Sequence, residues 1–192
     1  HLGYLDINKK HFTLLNEKIP ELERYRTIIA ACPTHRDDEV VVCTQNGLFI
    51  LNVNTNKIRT IDAVKKYNRY TRKINCAIRD HKGRIWIGTQ NGLLLMQKDE
   101  VRRIAEDDGL SNTCIRSLVE DSHGNIWVGT SNGINRIYAE GTELYILPLG
   151  PSDGAPRVEM NERGACLMPD GKIYFATQEG LKPLPRFCLF EP

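Results

Sequence analysis

Short runs of β-branched, aliphatic and aromatic residues recur along the chain, each closed by Gly, Asn or Asp. Residues 85–87 read I-W-I, and Gln90-Asn91-Gly92 then supplies the positive-φ positions of a tight hairpin. Residues 93–97 make the return strand, and residues 101–104 follow after the acidic turn Asp99-Glu100. Residues 74–79 supply another strand, ahead of the turn Asp80-His81-Lys82-Gly83. None of these runs carries the 3.6-residue period of an amphipathic helix. The pattern predicts strands throughout.

The same pattern returns at a fixed interval. Residues 83–96 read G-R-I-W-I-G-T-Q-N-G-L-L-L-M, and residues 124–137 read G-N-I-W-V-G-T-S-N-G-I-N-R-I. Residues 171–184 read G-K-I-Y-F-A-T-Q-E-G-L-K-P-L, and residues 38–51 read D-E-V-V-V-C-T-Q-N-G-L-F-I-L. The hairpin glycines Gly3, Gly47, Gly92, Gly133 and Gly180 are spaced by 44, 45, 41 and 47 residues. The strand set recurs at 115–120, 126–130, 134–138 and 144–147. Four antiparallel strands at this spacing are the blades of a β-propeller. Residues 1–27 are expected to form the second half of a preceding blade and a connector. Residues 28–72, 73–112 and 113–160 each make a blade, and residues 161–192 a partial closing blade.

Positions repeated in every unit are expected to serve packing. Asp80 with Gly83, Asp121 with Gly124, and Asp170 with Gly171 make the turn between the first and second strands, where Asp bonds its own backbone. Trp86, Trp127 and Tyr174 fill the wedge between blades. Thr44, Thr89, Thr130 and Thr177 close the second strand before Gly47, Gly92, Gly133 and Gly180.

At D-S-H-G-N-I-W-V-G-T-S-N-G-I (residues 121–134), preceded by D-G-L-S-N-T-C-I-R-S-L-V-E (residues 108–120), the sequence resembles the two-component regulator propeller repeat. That repeat has the form D-G-L-S-x-x-x-I-x-x-I-x-x-D-x-x-G-x-I-W-I-G-T-x-x-G-L. The unit around Trp86 matches without the D-G-L-S lead-in, and the last unit resembles a divergent closing blade. The resemblance implies the periplasmic region of a membrane-spanning sensor histidine kinase, of the hybrid type of gut Bacteroidetes that senses glycan fragments. Kinase, receiver and DNA-binding parts would lie elsewhere in such a protein. Family propellers typically have seven blades, so the expected fold is all-β, a propeller fragment of about four blades. Its ends either stay open, with strand edges available for pairing, or close a small ring.

Composition narrows the function. The 192 residues carry a net charge of +2 with 26% charged and 41% hydrophobic residues, a globular balance with no overall bias toward nucleic acid. Apolar runs are strand-sized, so no direct membrane insertion is expected. The chain opens on His1, which suggests a trimmed or processed fragment. Six cysteines contain no C-x-x-C pair, and small buried side chains are the expectation, with disulfide state left open. No cofactor or metal is expected, because His35, His81 and His123 fall in loops without ligand spacing.

Catalysis has little to stand on. Glycan hydrolysis needs two facing carboxylates, and Glu159 and Glu162 show no partner in sequence. A propeller lyase would need a His–Glu pair, which the sequence does not place. No catalytic residue is predicted. A glycan-active enzyme or lyase, and a non-catalytic protein-interaction scaffold, remain the alternatives.

Ligand contacts are expected where the units differ. In a propeller the connection into each inner strand shares a face with the hairpin between the second and third strands. That face would hold Asn91 and Asn132. The lead-in at 65–73 reads K-K-Y-N-R-Y-T-R-K, so Tyr67 and Tyr70 would stack on sugar rings while Arg69, Arg72 and Lys73 hold acidic groups. The lead-in at 150–163 adds Arg157, Glu159, Asn161 and Arg163 on a Pro-stiffened loop. An oligosaccharide is the expected ligand, and self-association through open blade edges or as a sensor dimer the expected assembly.

Overall fold

Antiparallel sheets follow one another in chain order in the computed structural model, which describes residues 3–6, 10–15, 17–25, 27–45, 47–61, 64, 66–67, 73–141 and 143–184. A two-stranded sheet, β1 (Gly3–Asp6) and β2 (His11–Leu14), comes first. The first blade is β3 (Ile28–Pro33), β4 (Glu39–Thr44), β5 (Gly47–Asn52) and β6 (Lys57–Arg59). The second is β7 (Ile74–Arg79), β8 (Ile85–Thr89), β9 (Gly92–Gln97) and β10 (Glu100–Ile104). The third is β11 (Ile115–Glu120), β12 (Ile126–Thr130), β13 (Gly133–Glu140) and β14 (Glu143–Leu149). Last come β15 (Met160–Leu167), β16 (Ile173–Thr177) and β17 (Gly180–Pro183). Inner strands β3, β7, β11 and β15 stand side by side in that order. Among the described residues β1 and β2 pair only with each other, so the blades form an open arc and not a small ring.

Side chains alternate across each sheet, and both faces are apolar. Val41, Cys43 and Ile50 of the first blade meet Ile85, Ile87, Leu94 and Met96 of the second. Trp86, Leu93 and Leu95 point the other way, onto Ile115, Ile126 and Val128 of the third. Trp127 and Ile134 then meet Met160, Ile173 and Phe175 of the last. The rear of the first blade is covered by the connector, through Leu15, Ile19 and Leu22. Each fully buried aliphatic or aromatic side chain contributes about 1.5–3 kcal/mol, so the blade interfaces are the cores of this protein.

Two small residues let the strands of a blade approach. A Cβ on Gly88 would lie 2.5 Å from Cys76 Sγ, and one on Gly129 would lie 2.4 Å from Ser117 Oγ. Where the first blade has a thiol on its second strand, Cys43, the facing inner-strand residue is Ala30. Burial pushes the Cys43 thiol up and the Cys76 thiol up to about 12, so both stay protonated packing groups at neutral pH. Cys32 is buried as well, whereas Cys114 is partly exposed and Cys166 exposed.

The turn aspartate and the wedge tryptophan, read separately in sequence, are one unit. The buried Asp121 carboxylate accepts from Trp127 Nε1 (2.8 Å), Asn125 Nδ2 (2.8 Å) and the backbone N–H groups of His123 and Asn125 (both 2.9 Å). Asp80 accepts from Trp86 Nε1 (2.8 Å), Arg84 Nε (2.6 Å) and the Arg84 backbone N–H (2.8 Å). In the last blade the turn bonds pass through the Met168 backbone, because Asp170 falls two residues later. Asp170 is exposed there and pairs with Lys172, and Tyr174 is half-buried. Each hairpin is stapled by its threonine, whose Oγ1–H donates to the glycine carbonyl three residues on. Those distances are 2.8, 2.7, 2.9 and 2.9 Å at Thr44, Thr89, Thr130 and Thr177.

Ion pairs also tie neighbouring blades together. Arg59 on β6 reaches Glu39 (2.7 Å) in its own blade and Asp99 (3.3 Å) in the next. His81, in its blade turn, is half exposed, and its ring lies against Gly124 while its Nδ1 meets Glu120 of the third blade.

Asp121→Ala strands the Trp127 indole N–H and the Asn125 backbone and side-chain N–H groups in a buried site, and should cost about 2–4 kcal/mol in urea unfolding. A loss below about 0.5 kcal/mol would refute the unit. The hydrogen bond from Arg59 holds the Glu39 carboxyl below the usual carboxylate range, against the opposing effect of burial. Its stabilisation is therefore complete above the ordinary glutamate value of about 4.3 and drains away as pH falls through the lower folded value. Glu39→Gln should flatten the loss of stability between about pH 5 and pH 3, measured by urea midpoints.

Candidate functional site

Backbone bonds place the hairpins and lead-ins on one face. Gln45 N–H donates to Thr27 (2.9 Å), Gln90 N–H to Lys73 (3.0 Å) and Ser131 N–H to Cys114 (3.0 Å). Thus in the first three blades the hairpin between second and third strands is bonded to the residue leading into its own inner strand.

The D-G-L-S lead-in is a compact device. Asp108 Oδ2 accepts from Ala105 N–H (2.9 Å), and Gly109 takes φ 107°, a left-handed conformation that favours glycine. Leu110 then plugs the blade interface, and Ser111 is held by the fully buried Asn135. Asn135 Oδ1 accepts from Ser111 N–H (2.8 Å), and its Nδ2 donates to Ser111 Oγ (3.0 Å). The last lead-in repeats the device. Asp153 Oδ2 accepts from Gly150 N–H (2.9 Å), Gly154 has φ 70°, and Ala155 is the buried plug. A shallow recess of about 330 Å³ opens there, lined by Pro151, Gly154, Ala155, Pro156, Lys182 and Pro183.

The inner strands all bulge at their first turn, on the face that carries the hairpins. Single residues are extruded in three blades: Ile29, Asn75 and Arg116. In the last blade the ladder skips from Met160 to Ala165 while the facing strand passes only from Thr177 to Phe175, so three extra residues bulge together. Bulges re-aim side chains and concentrate beside functional sites. Asn75 is buried and bridges to β11, its Nδ2 donating to the Ile115 carbonyl (2.7 Å). Arg163 adopts φ 58°, which costs an ordinary side chain about 1 kcal/mol.

Arg116 gathers this region. Its Nε–H donates to Ser131 Oγ (3.0 Å), its Nη1–H to Glu162 Oε1 (3.0 Å) and its Nη2–H to Glu159 Oε1. Ser131 Oγ lies 3.5 Å from the same Glu159 oxygen. Two groups come from the third blade, and two from the lead-in and bulge of the last. The result is a guanidinium fork shared by two carboxylates and a hydroxyl, at the join of two blades. Both carboxylates spend hydrogen-bonding capacity on one cation, unlike the acid and base that flank a glycosidic bond.

The sequence-predicted contacts separate into groups. Glu159 lies in the cluster, and Asn161 and Arg163 are exposed on the enlarged bulge beside it. Arg157 is exposed next to the recess. Asn132 is exposed on the hairpin beside Ser131, its N–H donating to Thr130 Oγ1 (3.0 Å). Asn91 is exposed on the second blade, with its carbonyl accepting from Arg103 Nε (2.9 Å). Tyr67 packs partly against the core between first and second blades, with Lys66 Nζ 4.8 Å from its ring centre. Lys73 is exposed, and Arg69, Tyr70 and Arg72 lie outside the described residues. The sequence reading passes over Arg116. Its one signal was variation at a single position, with Ile29, Asn75 and Arg116 in otherwise matching strands. Among the described residues no three His, Cys, Asp or Glu side chains converge as a metal site.

Residues 71–91 and 109–132 match the family described as two component regulator propeller. No curated protein matches the chain in sequence. The fold is similar to an extracellular domain described as that of a hybrid two component system of B. thetaiotaomicron, with 19% identity and TM-score 0.58. That match covers 84% of this chain and 28% of that one. A second, described as that of a one component system of B. thetaiotaomicron, has 18% identity and TM-score 0.64 over 95% of this chain and 24% of that one. A virginiamycin B lyase of Staphylococcus aureus has 14% identity and TM-score 0.53, over 81% and 55%. The chain thus spans about a quarter of the length of the two extracellular domains.

A double-mutant cycle on Arg116→Ala and Glu159→Gln should return a coupling of about 1 kcal/mol, since the groups are partly solvated. Arg116→Ala should also speed amide exchange at residues 157–163 and leave β8 and β9 unchanged. Equal exchange in both proteins would mean that Arg116 does not hold the bulge.

Proposed function

Because residues 71–91 and 109–132 are two component regulator propeller repeats, we propose that this chain is a ligand-sensing propeller segment of the extracytoplasmic, periplasmic part of a sensor histidine kinase. The family match carries the reading. The two extracellular domains that share the fold agree with it, and the kinase would reside elsewhere in a longer polypeptide. No helix among the described residues is long and apolar enough to cross a membrane.

The ligand face is the one with the bulges. There the blades stop repeating: Arg116, Ser131, Glu159 and Glu162 come together, with Asn161 and Arg163 beside them. Fixed donors and acceptors of this kind suit the hydroxyl groups of an oligosaccharide. Binding across the join of two blades would favour one blade spacing over another, which is how a ligand shifts a sensor between states. The segment acts by binding and not by turnover. Its likeness to a lyase is one of fold, and fold does not carry chemistry.

A thermal-shift screen against neutral and acidic oligosaccharides tests this reading. One class should raise the melting temperature by about 5 °C at saturating concentration, and Arg116→Ala should abolish the shift without loss of the fold. Turnover of the sugar, or a shift produced only by a protein partner, would sink it.

A further inference from the structure

The bulge of β15 carries a strained arginine at its tip. This bulge doubles back on itself, since a Cβ on Gly164 would lie 3.2 Å from the Asn161 carbonyl oxygen and 2.8 Å from Ala176 Cβ. Glu162 and Arg163 are left at the turn. Arg163 holds φ 58°, in the left-handed region that ordinary side chains avoid. The other described non-glycine residues with positive φ, Lys10, Asn56 and Lys98, sit in turns between strands. Arg163 alone among the described residues does so within a strand.

Its surroundings place it over the inner strands. Glu162, its chain neighbour, is bonded to Arg116 of the third blade. β15 also reaches β7 of the second blade, past β11. The charges of Glu162 and Arg163 both act on the Cys76 thiol there. The tip therefore leans back over β11 and β7, the inner strands of the two blades before its own.

Charge on this face is unevenly used. Glu159 and Glu162 both pair with Arg116. Lys73, Arg157 and Arg163 are exposed, and no hydrogen bond or ion pair engages their side chains. A strained backbone that earns its side chain no bond in the fold points to function.

We propose that Arg163 determines specificity on this face, and that it selects an oligosaccharide bearing an anionic group, a uronate carboxylate or a sulfate ester. The inference rests on the sugar-binding reading above and adds the class of sugar. A planar guanidinium with unused N–H groups takes either anion through parallel hydrogen bonds. Lys73 and Arg157 strengthen the positive field around it. The Arg116 fork does not serve, because two carboxylates already occupy it.

Thermal shift against galacturonate, sulfated-galactose and neutral glucose and galactose oligomers tests this on the 192-residue chain. An acidic class should raise the melting temperature, neutral sugars should not, and the shift should shrink as salt rises. Whether the uronate or the sulfated oligomer acts tells carboxylate from sulfate. Arg163→Gly should weaken binding of the acidic sugar about tenfold or more. The melting temperature of the free chain should stay level or rise by up to about 3 °C, because glycine accepts the left-handed backbone. Arg163→Asn, which also tolerates that backbone, should behave alike, and Arg163→Lys should keep part of the affinity. A fall in melting temperature in both Arg163→Gly and Arg163→Asn would mean that the arginine serves the fold, and would overturn the proposal. So would an acidic sugar that binds the variants as tightly as wild type, or a face that answers to neutral sugars alone. Silence toward every sugar would overturn the sugar-binding reading, and this proposal with it.

Discussion

A sheet that is apolar on both sides must be covered twice, and the architecture follows from that requirement. No blade of this protein can be stable by itself, because half of its buried surface belongs to the next one. Trp86 and Trp127 enforce the order. Each belongs to one blade by its hydrogen bond to a turn aspartate, and to the next by its packing. The indole can be fully buried between sheets because its one polar atom has a partner within its own blade. Asp80 and Asp121 are therefore core residues as much as turn residues.

Against that repetition, the hairpin-bearing face is where individuality resides. The staples at Thr44, Thr89, Thr130 and Thr177 hold every hairpin alike, and what differs is what the bulges expel toward it. Ile29 is apolar, Asn75 ties two inner strands together, and Arg116 reaches across to the last blade. The three-residue bulge of β15 completes the series with a positive-φ arginine. Loops anchored by buried plugs, Leu110 and Ala155, present polar groups from a stiff base, which limits the ordering that a ligand would have to impose.

The blades were legible in the sequence because their signals are local and repeated. Glycine spacing, the aspartate turn and the alternation around Trp86 and Trp127 each recur, so every unit checks the others. The bond from aspartate to indole was hidden because the two residues are six apart, and only the strand's course brings them together. Arg116 was hidden for another reason. A bulge is a property of how two strands pair, and the repeat pattern carries no mark for the residue it expels. The departure at Asp170 was misaligned because the turn keeps its length and its glycine, Gly171, while Met168 takes the aspartate's position and Asp170 falls inside the turn. Glu159, Asn161 and Arg163 were found by the contrast between lead-ins, a signal that needs no knowledge of pairing.

The small-residue pairs beneath the blades have a historical consequence. Cys76 faces Gly88, Ser117 faces Gly129, and in the first blade Ala30 faces Cys43. Enlarging Gly88 alone meets a sulfur at 2.5 Å, and shrinking Cys76 alone leaves a gap. A lineage can move the bulk from one strand to the other only by altering both sites, through an intermediate that is either overfilled or hollow. Descent at these positions should therefore proceed as linked exchanges, and the link extends into the next blade, where Ile115 Cγ2 would lie 2.6 Å from the same Cβ on Gly88.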